Sequence, residues 1–274
     1  MTRVLTPILA TLCNLGRGVL DATLPQTCVA CGIWLPAGSG LACPGCHTEI
    51  AAAFLRPGCP RCGRTLPRAS IHEDHCARCR TEQFWNVAGV ARVSTYEPAI
   101  RSIVLGLKYR GQERNAHYLA EWLAAALQDR GWLDGLDALV PVPMHWLRRW
   151  QRPCDHARVL AEALGQRLKI RVVRLVRRAR HSPSQTGISS KAQRFENVRG
   201  CFAPARWRRP DFAGKTVCIV DNLITTGATV HEVSKVVRQL GARRIYAAVI
   251  ARAAAPGDPV ASLVPTDLEV PSTS

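Results

Sequence analysis

Apolar residues recur along the chain with two different periods, which predict strands and helices in alternation. Four segments carry short apolar runs typical of buried strands: 86–96, 136–143, 214–221 and 243–251. Four others carry apolar residues at three- and four-residue spacing, typical of helices: 99–111, 117–131, 155–168 and 227–241. Residues 170–179 fit a strand, with a helix as the alternative, because their arginines also follow helical spacing. Strands alternating with helices predict an α/β domain over 86–252 with a mostly parallel, doubly wound sheet.

The two ends of the chain show other patterns. Apolar residues at helical spacing predict an amphipathic helix within residues 1–27: Val4, Leu5, Ile8, Leu9, Leu12 and Leu15. This segment lacks a clear secretory cleavage site, and no stretch reaches the roughly 20 apolar residues of a membrane span. We therefore expect a cytoplasmic protein with no membrane span. Residues 253–274 have no clear periodicity, and we expect a mobile tail there.

Eight of the twelve cysteines form four C-x-x-C pairs: Cys28/Cys31, Cys43/Cys46, Cys59/Cys62 and Cys76/Cys79. A C-x-x-C turn directs two thiolates at one cation, and two such turns complete a tetrahedral four-cysteine site. The spacing predicts a double zinc ribbon over residues 28–82 with two structural zinc ions. Consecutive pairs sharing a zinc ion are the simplest arrangement, and a cross-braced one is the alternative. Four disulfides are a further alternative, which a reducing cytoplasm disfavours.

Basic residues dominate the charge of the chain. Its 274 residues hold 37 Lys and Arg against 20 Asp and Glu, a formal net charge of +17. Residues 141–210 alone hold 17 basic and three acidic side chains, a net +14. Such concentrated charge points to an anionic partner, since arginine binds phosphate through a planar, bidentate guanidinium.

The stretch VCIVDNLITTGATV, residues 217–230, combines a buried strand, an acidic residue, a threonine–glycine turn and a helix. In open α/β sheets ligands bind beyond the carboxyl ends of strands, and Asp221 stands at such an end. The turn offers backbone N–H groups and hydroxyls, and the positive end of the next helix faces the same place. This pattern predicts a phosphate-binding turn with a carboxylate for sugar hydroxyls or hydrated Mg²⁺. A threonine-capped helix without a ligand is the alternative.

This stretch resembles the phosphoribosyl pyrophosphate (PRPP) loop of type I phosphoribosyltransferases. With the C-x-x-C pairs, LVPVPMHWLRRWQR and PSQTGISSKAQRFENVRGCF, it makes residues 20–251 similar to the ComF (ComFC) family of competence proteins. The resemblance implies a double zinc ribbon joined to a type I phosphoribosyltransferase-like domain that binds PRPP with Mg²⁺. It also implies a part in natural transformation, handling incoming single-stranded DNA in the cytoplasm alongside other competence proteins such as a DNA-uptake helicase.

The resemblance also implies roles for individual residues. Asp221 would bind the ribose hydroxyls, and Asn222 can hydrogen-bond one of them. The 5′-phosphate would bind to the turn formed by Thr225, Thr226, Gly227, Ala228 and Thr229. The pyrophosphate loop corresponds to residues 140–145, which include Pro143, and to the basic residues after them, Arg148, Arg149 and Arg152. Residues 181–197 match the mobile catalytic loop, whose recurring polar positions are Gln185, Arg194 and Asn197. The implied catalytic residues are Asp221, Asn222, Arg194 and Gln185.

Two departures from the family pattern bear on catalysis. The loop normally carries two adjacent acids, and here the second is Asn222, which removes one negative charge. The family's R-G-F-N-Q appears as RPCDH, residues 152–156, where Pro153 lacks the backbone N–H of a glycine. Two functions therefore stay open. One is a phosphoribosyltransferase with an unknown nitrogen acceptor, and the other is a non-enzymatic DNA-uptake module with a vestigial or regulatory PRPP pocket.

Tryptophans interleaved with arginines indicate where single-stranded DNA would bind. Within residues 141–210 these residues are Trp146, Trp150 and Trp207, with Arg148, Arg149, Arg152, Arg206, Arg208 and Arg209. Single-strand binders combine a basic track with aromatic platforms on which bases stack. The alternative is that the tryptophans belong to the core and the arginines serve PRPP alone.

Overall fold

The structure, a computed structural model, describes residues 26–36, 38–81, 86–145, 152–180, 190–205 and 212–254. The expected N-terminal helix and C-terminal tail lie almost entirely outside these residues, and the domain boundaries read from the sequence stay predictions. Within the described part of the chain, no helix is both long enough and apolar enough to cross a membrane.

The cysteine-rich region has little regular structure. Helix α1 spans Pro44–Phe54, and the strands β1 (Ile71–His72) and β2 (His75–Cys76) form a short antiparallel pair. Gly32 and Gly63 follow two of the cysteines with φ values of 77° and 74°. Only glycine adopts this left-handed conformation without a steric cost, so these turns can fold the chain back tightly enough to bring paired thiols together.

A four-stranded parallel sheet forms the centre of the remaining chain. The elements are β3 (Gly89–Thr95), α2 (Pro98–Tyr109), α3 (Arg114–Asp129), β4 (Ala138–Pro141), α4 (His156–Leu168), β5 (Val176–Arg178), α5 (Lys191–Val198), β6 (Phe202–Pro204), β7 (Thr216–Ile224), α6 (Ala228–Gln239) and β8 (Arg244–Arg252). The spatial order of the sheet is β3–β8–β7–β4, and each neighbouring pair is parallel. The carboxyl ends of all four strands therefore lie at one edge.

Alternate residues of the central strands build two apolar cores. On β7, Cys218 and Val220 face one side of the sheet, while Val217 and Ile219 face the other. Helices α2, α3 and α4 cover the first side, and α6 covers the second together with β5 and β6. The sheet is therefore doubly wound, which confirms the predicted α/β class.

Three local predictions differ from the structure. The strand predicted to end at Asp221 continues to Ile224, because its last residues still pair with β8. Of residues 170–179, only Val176–Arg178 form a strand, which pairs antiparallel with β6 instead of joining the main sheet. The end of the expected mobile loop 181–197 is helical, since Ser190 caps α5 by accepting a hydrogen bond from Gln193 N at 3.5 Å.

The cysteine-rich region packs along the outer strand β3. Val90 N donates a hydrogen bond to the carbonyl of Pro60 at 2.8 Å. Arg92 Nη2 donates to the carbonyls of Arg56 and Pro57 at 3.2 and 3.3 Å. Arg92 is only 6% exposed, and burial lowers its pKa to about 10. Residues 56–60 thus cover the free edge of the sheet.

Candidate functional site

The eight paired cysteines gather into two groups of four. One group is Cys28, Cys31, Cys43 and Cys46, and the other is Cys59, Cys62, Cys76 and Cys79. In each group the sulfur atoms lie within 4.8 Å of one another, and all eight are free thiols. Consecutive pairs therefore share a site, as the simplest interpretation of the spacing predicts, and these eight residues form neither a cross-braced arrangement nor disulfides.

The distances between sulfur atoms fit tetrahedral zinc. Zinc–sulfur bonds of about 2.3 Å give a tetrahedron with edges of about 3.8 Å. The Sγ atoms of Cys31 and Cys43 are 3.8 Å apart, and those of Cys62 and Cys76 are also 3.8 Å apart. Hydrogen bonds with the Cys62 and Cys79 thiols lower the pKa of Cys59 far below its ordinary value, and the same contacts raise the pKa of Cys62 and of Cys79, so the four sulfur atoms are close enough to share one charge. Each group can hold one structural zinc ion.

The predicted phosphate-binding turn lies between β7 and α6. Helix α6 begins at Ala228, directly after Gly227, whose φ of 86° lies in the left-handed region. Thr226 Oγ1 accepts a hydrogen bond from Ala228 N at 3.4 Å, and the hydroxyl-bearing side chains of Thr225 and Thr229 are partly exposed. Because the first N–H groups of a helix have no acceptor within it, this end of α6 can bind an anion.

Asp221 lies on β7, three residues before that strand ends. Its Oδ1 accepts a hydrogen bond from Asn222 N at 2.7 Å. Burial raises the pKa of Asp221 to about 6, although this hydrogen bond and the nearby ammonium of Lys108 act in the opposite direction. A carboxylate with a raised pKa has too few partners in the protein, and ligand hydroxyls or a cation could supply them.

Asn222 points away from the side of β7 that carries Asp221, because successive side chains of a strand alternate. It is 1% exposed, and its Nδ2 lies 3.0 Å from Nδ1 of His156. Its Oδ1 is buried without a hydrogen-bond partner among the described residues. Asn222 and His156 both depart from the family pattern, and here they contact each other. Because Asn222 is buried on the face of β7 opposite Asp221, its expected contact with a ribose hydroxyl stays a prediction.

The RPCDH stretch, residues 152–156, leads into α4 and contacts the end of α2. Asp155 caps α4, and its Oδ1 accepts a backbone hydrogen bond from the first turn at 3.4 Å. Cys154 Sγ donates to the carbonyl of Leu107 at 3.3 Å. The guanidinium of Arg152 lies 4.6 Å from the centre of the Tyr109 ring and donates to its hydroxyl at 3.3 Å. These contacts hold the last turn of α2 against the loop.

Lys108 is a residue of this region that the sequence pattern did not reveal. It lies in the last turn of α2 and is partly buried. Burial lowers its pKa to about 8, while the Asp221 carboxylate acts in the opposite direction. The two groups therefore lie close enough for each to affect the ionisation of the other. In the sequence, its one distinguishing mark is that it is among five lysines in a chain with 32 arginines.

The other predicted site residues are only partly described. Pro143 lies beside the strand end that carries Asp221, because Val142 N donates to the carbonyl of Val220 at 3.0 Å. Arg194 lies on α5, which packs against the N-terminal half of α6. The remaining predicted binding residues lie outside the described part of the chain: Trp146, Arg148, Arg149, Trp150, Gln185, Arg206, Trp207, Arg208 and Arg209.

The oxygen donors available for Mg²⁺ are few. Proteins usually bind Mg²⁺ through one or two carboxylates together with phosphate oxygens of a substrate. Asp221 is one such carboxylate, but the amide of Asn222 stands in place of a second and faces His156. These residues fit an ion that arrives on the phosphates of a ligand and contacts Asp221. They do not fit an ion held by two protein carboxylates.

Two family models match the chain. A double zinc ribbon domain matches residues 19–82, and a phosphoribosyl transferase domain matches residues 153–266. Competence protein F of Haemophilus influenzae is 29% identical over 231 residues, which make up 82% of this chain and 96% of that protein. The DNA utilization protein YhgH of Escherichia coli K12 is 27% identical over 228 residues, 81% of this chain and 95% of that protein.

Two solved structures show a distant likeness. A purine phosphoribosyltransferase from Pyrococcus horikoshii is 18% identical with a TM-score of 0.33, covering 49% of this chain and 70% of that one. The protein TT1426 from Thermus thermophilus is 16% identical with a TM-score of 0.31, covering 54% of this chain and 88% of that one.

Proposed function

Since this chain belongs to the ComF family, and is therefore a competence-related protein with a phosphoribosyltransferase-like domain, we propose that it binds PRPP at the β7–α6 turn. One observation carries most of this proposal. A left-handed glycine at the start of a helix and an under-compensated carboxylate stand at the same strand end. The first suits a phosphate group, and the second suits the hydroxyls of a sugar.

Each part of PRPP has a proposed place. The 5′-phosphate lies against the N–H groups and hydroxyls of residues 225–229, and the ribose hydroxyls donate to Asp221. The diphosphate extends toward Pro143 and Arg152, which follow β4 and precede α4. Asp221 is the one loop carboxylate that could contact Mg²⁺, and the ion would supply positive charge to the diphosphate.

In the catalytic form of the proposal, a nitrogen acceptor forms a bond to C1 of the ribose as the bond from C1 to pyrophosphate breaks. Pyrophosphate leaves with the bonding electrons, and the acceptor nitrogen loses a proton. Asp221 would stabilise the positive charge that develops on the ribosyl group, and Arg194 and Gln185 would contact the reacting groups. Magnesium would contribute positive charge to the leaving pyrophosphate.

Calorimetric titration of the zinc-loaded protein with PRPP in Mg²⁺ tests the proposal. Binding should raise the thermal midpoint, since a ligand at about 100 times its Kd stabilises by about 2.7 kcal/mol. Asp221→Ala should weaken binding. Asp137→Asn should not, because the Asp137 carboxylate bonds to Thr216 at the opposite end of β7. An absence of heat and of stabilisation at millimolar PRPP would refute the proposal. Release of pyrophosphate with candidate bases then separates an enzyme from a binder.

A second candidate function is the binding of single-stranded DNA in the cytoplasm, in cooperation with other competence proteins such as a DNA-uptake helicase. The net charge of +14 over residues 141–210 favours it, together with the tryptophans in that segment. Affinity should fall with salt by a log–log slope of roughly −0.7 per phosphate contacted. Replacing Arg206, Arg208 and Arg209 with Ala should flatten the slope by about two units. A slope that ignores these arginines argues against this candidate.

A further inference from the structure

A cleft of about 540 Å³ lies between the cysteine-rich region and the α/β domain. The chain between residues 54 and 73 forms one wall, and β3 with the end of α3 forms the other. Strand β8 separates β3 from β7, the strand that carries Asp221, so this cleft is distinct from the proposed PRPP site. Its volume lies within the range of about 300–1,000 Å³ that is typical of small-molecule sites.

Two arginine side chains of the α/β domain meet the same stretch of backbone in this cleft. Arg92 Nη2 donates to the carbonyls of Arg56 and Pro57 at 3.2 and 3.3 Å. Arg130 Nη2 donates to the carbonyl of Gly58 at 3.1 Å. Because these carbonyls belong to three consecutive residues, the two guanidinium groups lie close together. Both side chains line the cleft, Arg92 as a buried residue and Arg130 as a partly exposed one.

These guanidinium groups lack carboxylate partners. In the described part of the chain, no carboxylate forms an ion pair with Arg92, with Arg130 or with Arg68, a third arginine that lines the cleft. Arg92 is 6% exposed, and its Nε is buried without a hydrogen-bond partner among the described residues. Arginine is rarely buried unless it is paired. The cleft therefore holds positive charge that the surrounding side chains do not neutralise by direct contact.

More distant negative groups offset only part of this charge. Glu73 and Asp129 also line the cleft, but both are exposed to solvent. The second zinc site, which contains Cys59, would carry a charge of about −2 when the metal is bound. Among the described residues, no sulfur atom of that site accepts a hydrogen bond from Arg92 or Arg130. The site can balance charge across a distance, yet it leaves N–H donors of Arg130 unused.

Apolar side chains complete the cleft. Phe54, Leu55 and Ile71 line it, and Leu55 is 79% exposed. Small-molecule sites commonly combine apolar walls with a few charged groups that fix the orientation of the ligand. Arginine is well suited to phosphate, which accepts two parallel hydrogen bonds from one guanidinium. A ligand that matches both parts of this cleft carries a phosphate group and a sizeable apolar surface.

We propose that the cleft binds a nucleoside 5′-phosphate, with the phosphate at the arginines and the base against the apolar wall. The phosphate accepts hydrogen bonds from Arg130 and Arg68, and Arg92 contributes positive charge from beneath them. The base covers Phe54 and Leu55. A free nucleotide and the phosphorylated 5′ end of a DNA strand offer the same chemistry, and the test separates these two sources.

Calorimetric titration of the zinc-loaded protein with AMP, at pH 7 and without Mg²⁺, tests the proposal. AMP should bind about tenfold more tightly than inorganic phosphate, because the base buries apolar surface. Arg130→Gln should weaken AMP binding by about tenfold or more, the usual scale for a hydrogen bond to a charged group. Arg68→Gln changes an exposed side chain and should weaken it roughly threefold. Arg167→Gln removes an equal charge from an exposed position in the last turn of α4 and should behave like wild type.

A short DNA strand with and without a 5′-phosphate identifies the source of the ligand. If the cleft takes a strand end, the phosphorylated strand should bind more tightly than the unphosphorylated one, and Arg130→Gln should remove the difference. If the cleft takes a free nucleotide, AMP should bind and the 5′-phosphate should make no difference to the strand. Both results support the proposed site.

Three results would overturn the proposal. The first is no heat with millimolar AMP, which would leave the arginines with the single task of balancing the charge of the zinc site. The second is equal AMP binding by Arg130→Gln and Arg167→Gln, which would place AMP elsewhere on the protein. The third is equal affinity for AMP and inorganic phosphate, which would leave the apolar wall without a ligand. Zinc content and the thermal midpoint of each variant show that a loss of binding is not a loss of folding.

Discussion

Replacing Asp221 with Asn should stabilise the ligand-free protein, because the native carboxylate lies where its charge is disfavoured. Burial raises the pKa of Asp221 from 3.8 to about 6. One pKa unit corresponds to about 1.4 kcal/mol, so the upper limit of the gain is about 3 kcal/mol above pH 6. The side chain is partly exposed, and solvent screening reduces the expected gain to roughly 1–2 kcal/mol. The Asn side-chain oxygen can still accept the hydrogen bond from Asn222 N.

The gain should grow with pH. The raised folded-state pKa means that the folded protein retains a proton that the unfolded chain loses, so the cost of the carboxylate begins above pH 3.8 and is complete above about pH 6. The free energy difference between variant and wild type should be about twice as large at pH 8 as at pH 5. Scanning calorimetry with zinc present measures it, since each kcal/mol shifts the midpoint of a chain this long by roughly 2–4 °C. Zinc content is checked at each pH because acid releases the metal.

Asp137→Asn is a control for which we expect the opposite change in stability. It accepts a hydrogen bond from Thr216 N at 2.8 Å and pairs with Lys215 at 3.0 Å, and both contacts lower its pKa. Asp137→Asn should therefore reduce stability, and the loss should shrink as the pH falls through the lowered pKa of that carboxyl group. The reasoning about Asp221 is refuted if Asp221→Asn leaves the midpoint unchanged at pH 8, or if both variants move it in the same direction.

Two further predictions concern zinc and the phosphate-binding turn. The purified protein should contain about two zinc ions per chain, and Cys28→Ser or Cys62→Ser should each remove about one in a metal analysis; loss of both ions from either variant would contradict two separate sites. Gly227→Ala should lower the free energy of unfolding by about 1 kcal/mol or more and weaken PRPP binding, because alanine resists a φ of 86°. Gly45 lies on α1, where an added Cβ meets open space, so Gly45→Ala should leave the free energy of unfolding unchanged or raise it. An equal loss of stability in Gly45→Ala would contradict the explanation based on the φ of Gly227.

The sequence predicted those features that short-range spacing determines. Two residues separate Cys28 from Cys31, a spacing that lets both thiolates reach one metal ion, so each C-x-x-C pair could be predicted as half of a zinc site. The choice of consecutive over cross-braced pairing came from the structure. The β7–α6 turn was equally accessible, because the apolar run before Asp221 and the glycine at 227 are local signals. The alternation of strands and helices gave the doubly wound sheet for the same reason.

Contacts between residues far apart in the sequence could not be predicted from such local patterns. The proximity of Lys108 to Asp221 joins residues from two elements far apart in sequence, and no periodicity encodes it. The inward position of Asn222 depends on the continuation of β7 past Asp221 and on its contact with His156. Residues 170–179 carry one strand-like pattern, yet they divide between two partners: Val172 forms an isolated parallel bridge with Leu139 of β4, and Val176–Arg178 pair with β6.

The contacts along β3 determine where the chain can be truncated without exposing a strand edge. β3 is an outer strand, and its backbone and Arg92 bond to carbonyls of residues 56–60. A truncated chain starting at residue 86 would leave that edge bare, and a bare strand edge is a template for pairing with other copies. None of the residues assigned to PRPP comes from the cysteine-rich region, yet an isolated transferase-type domain should aggregate without it. Zinc starvation would then act on the α/β domain as a solubility defect.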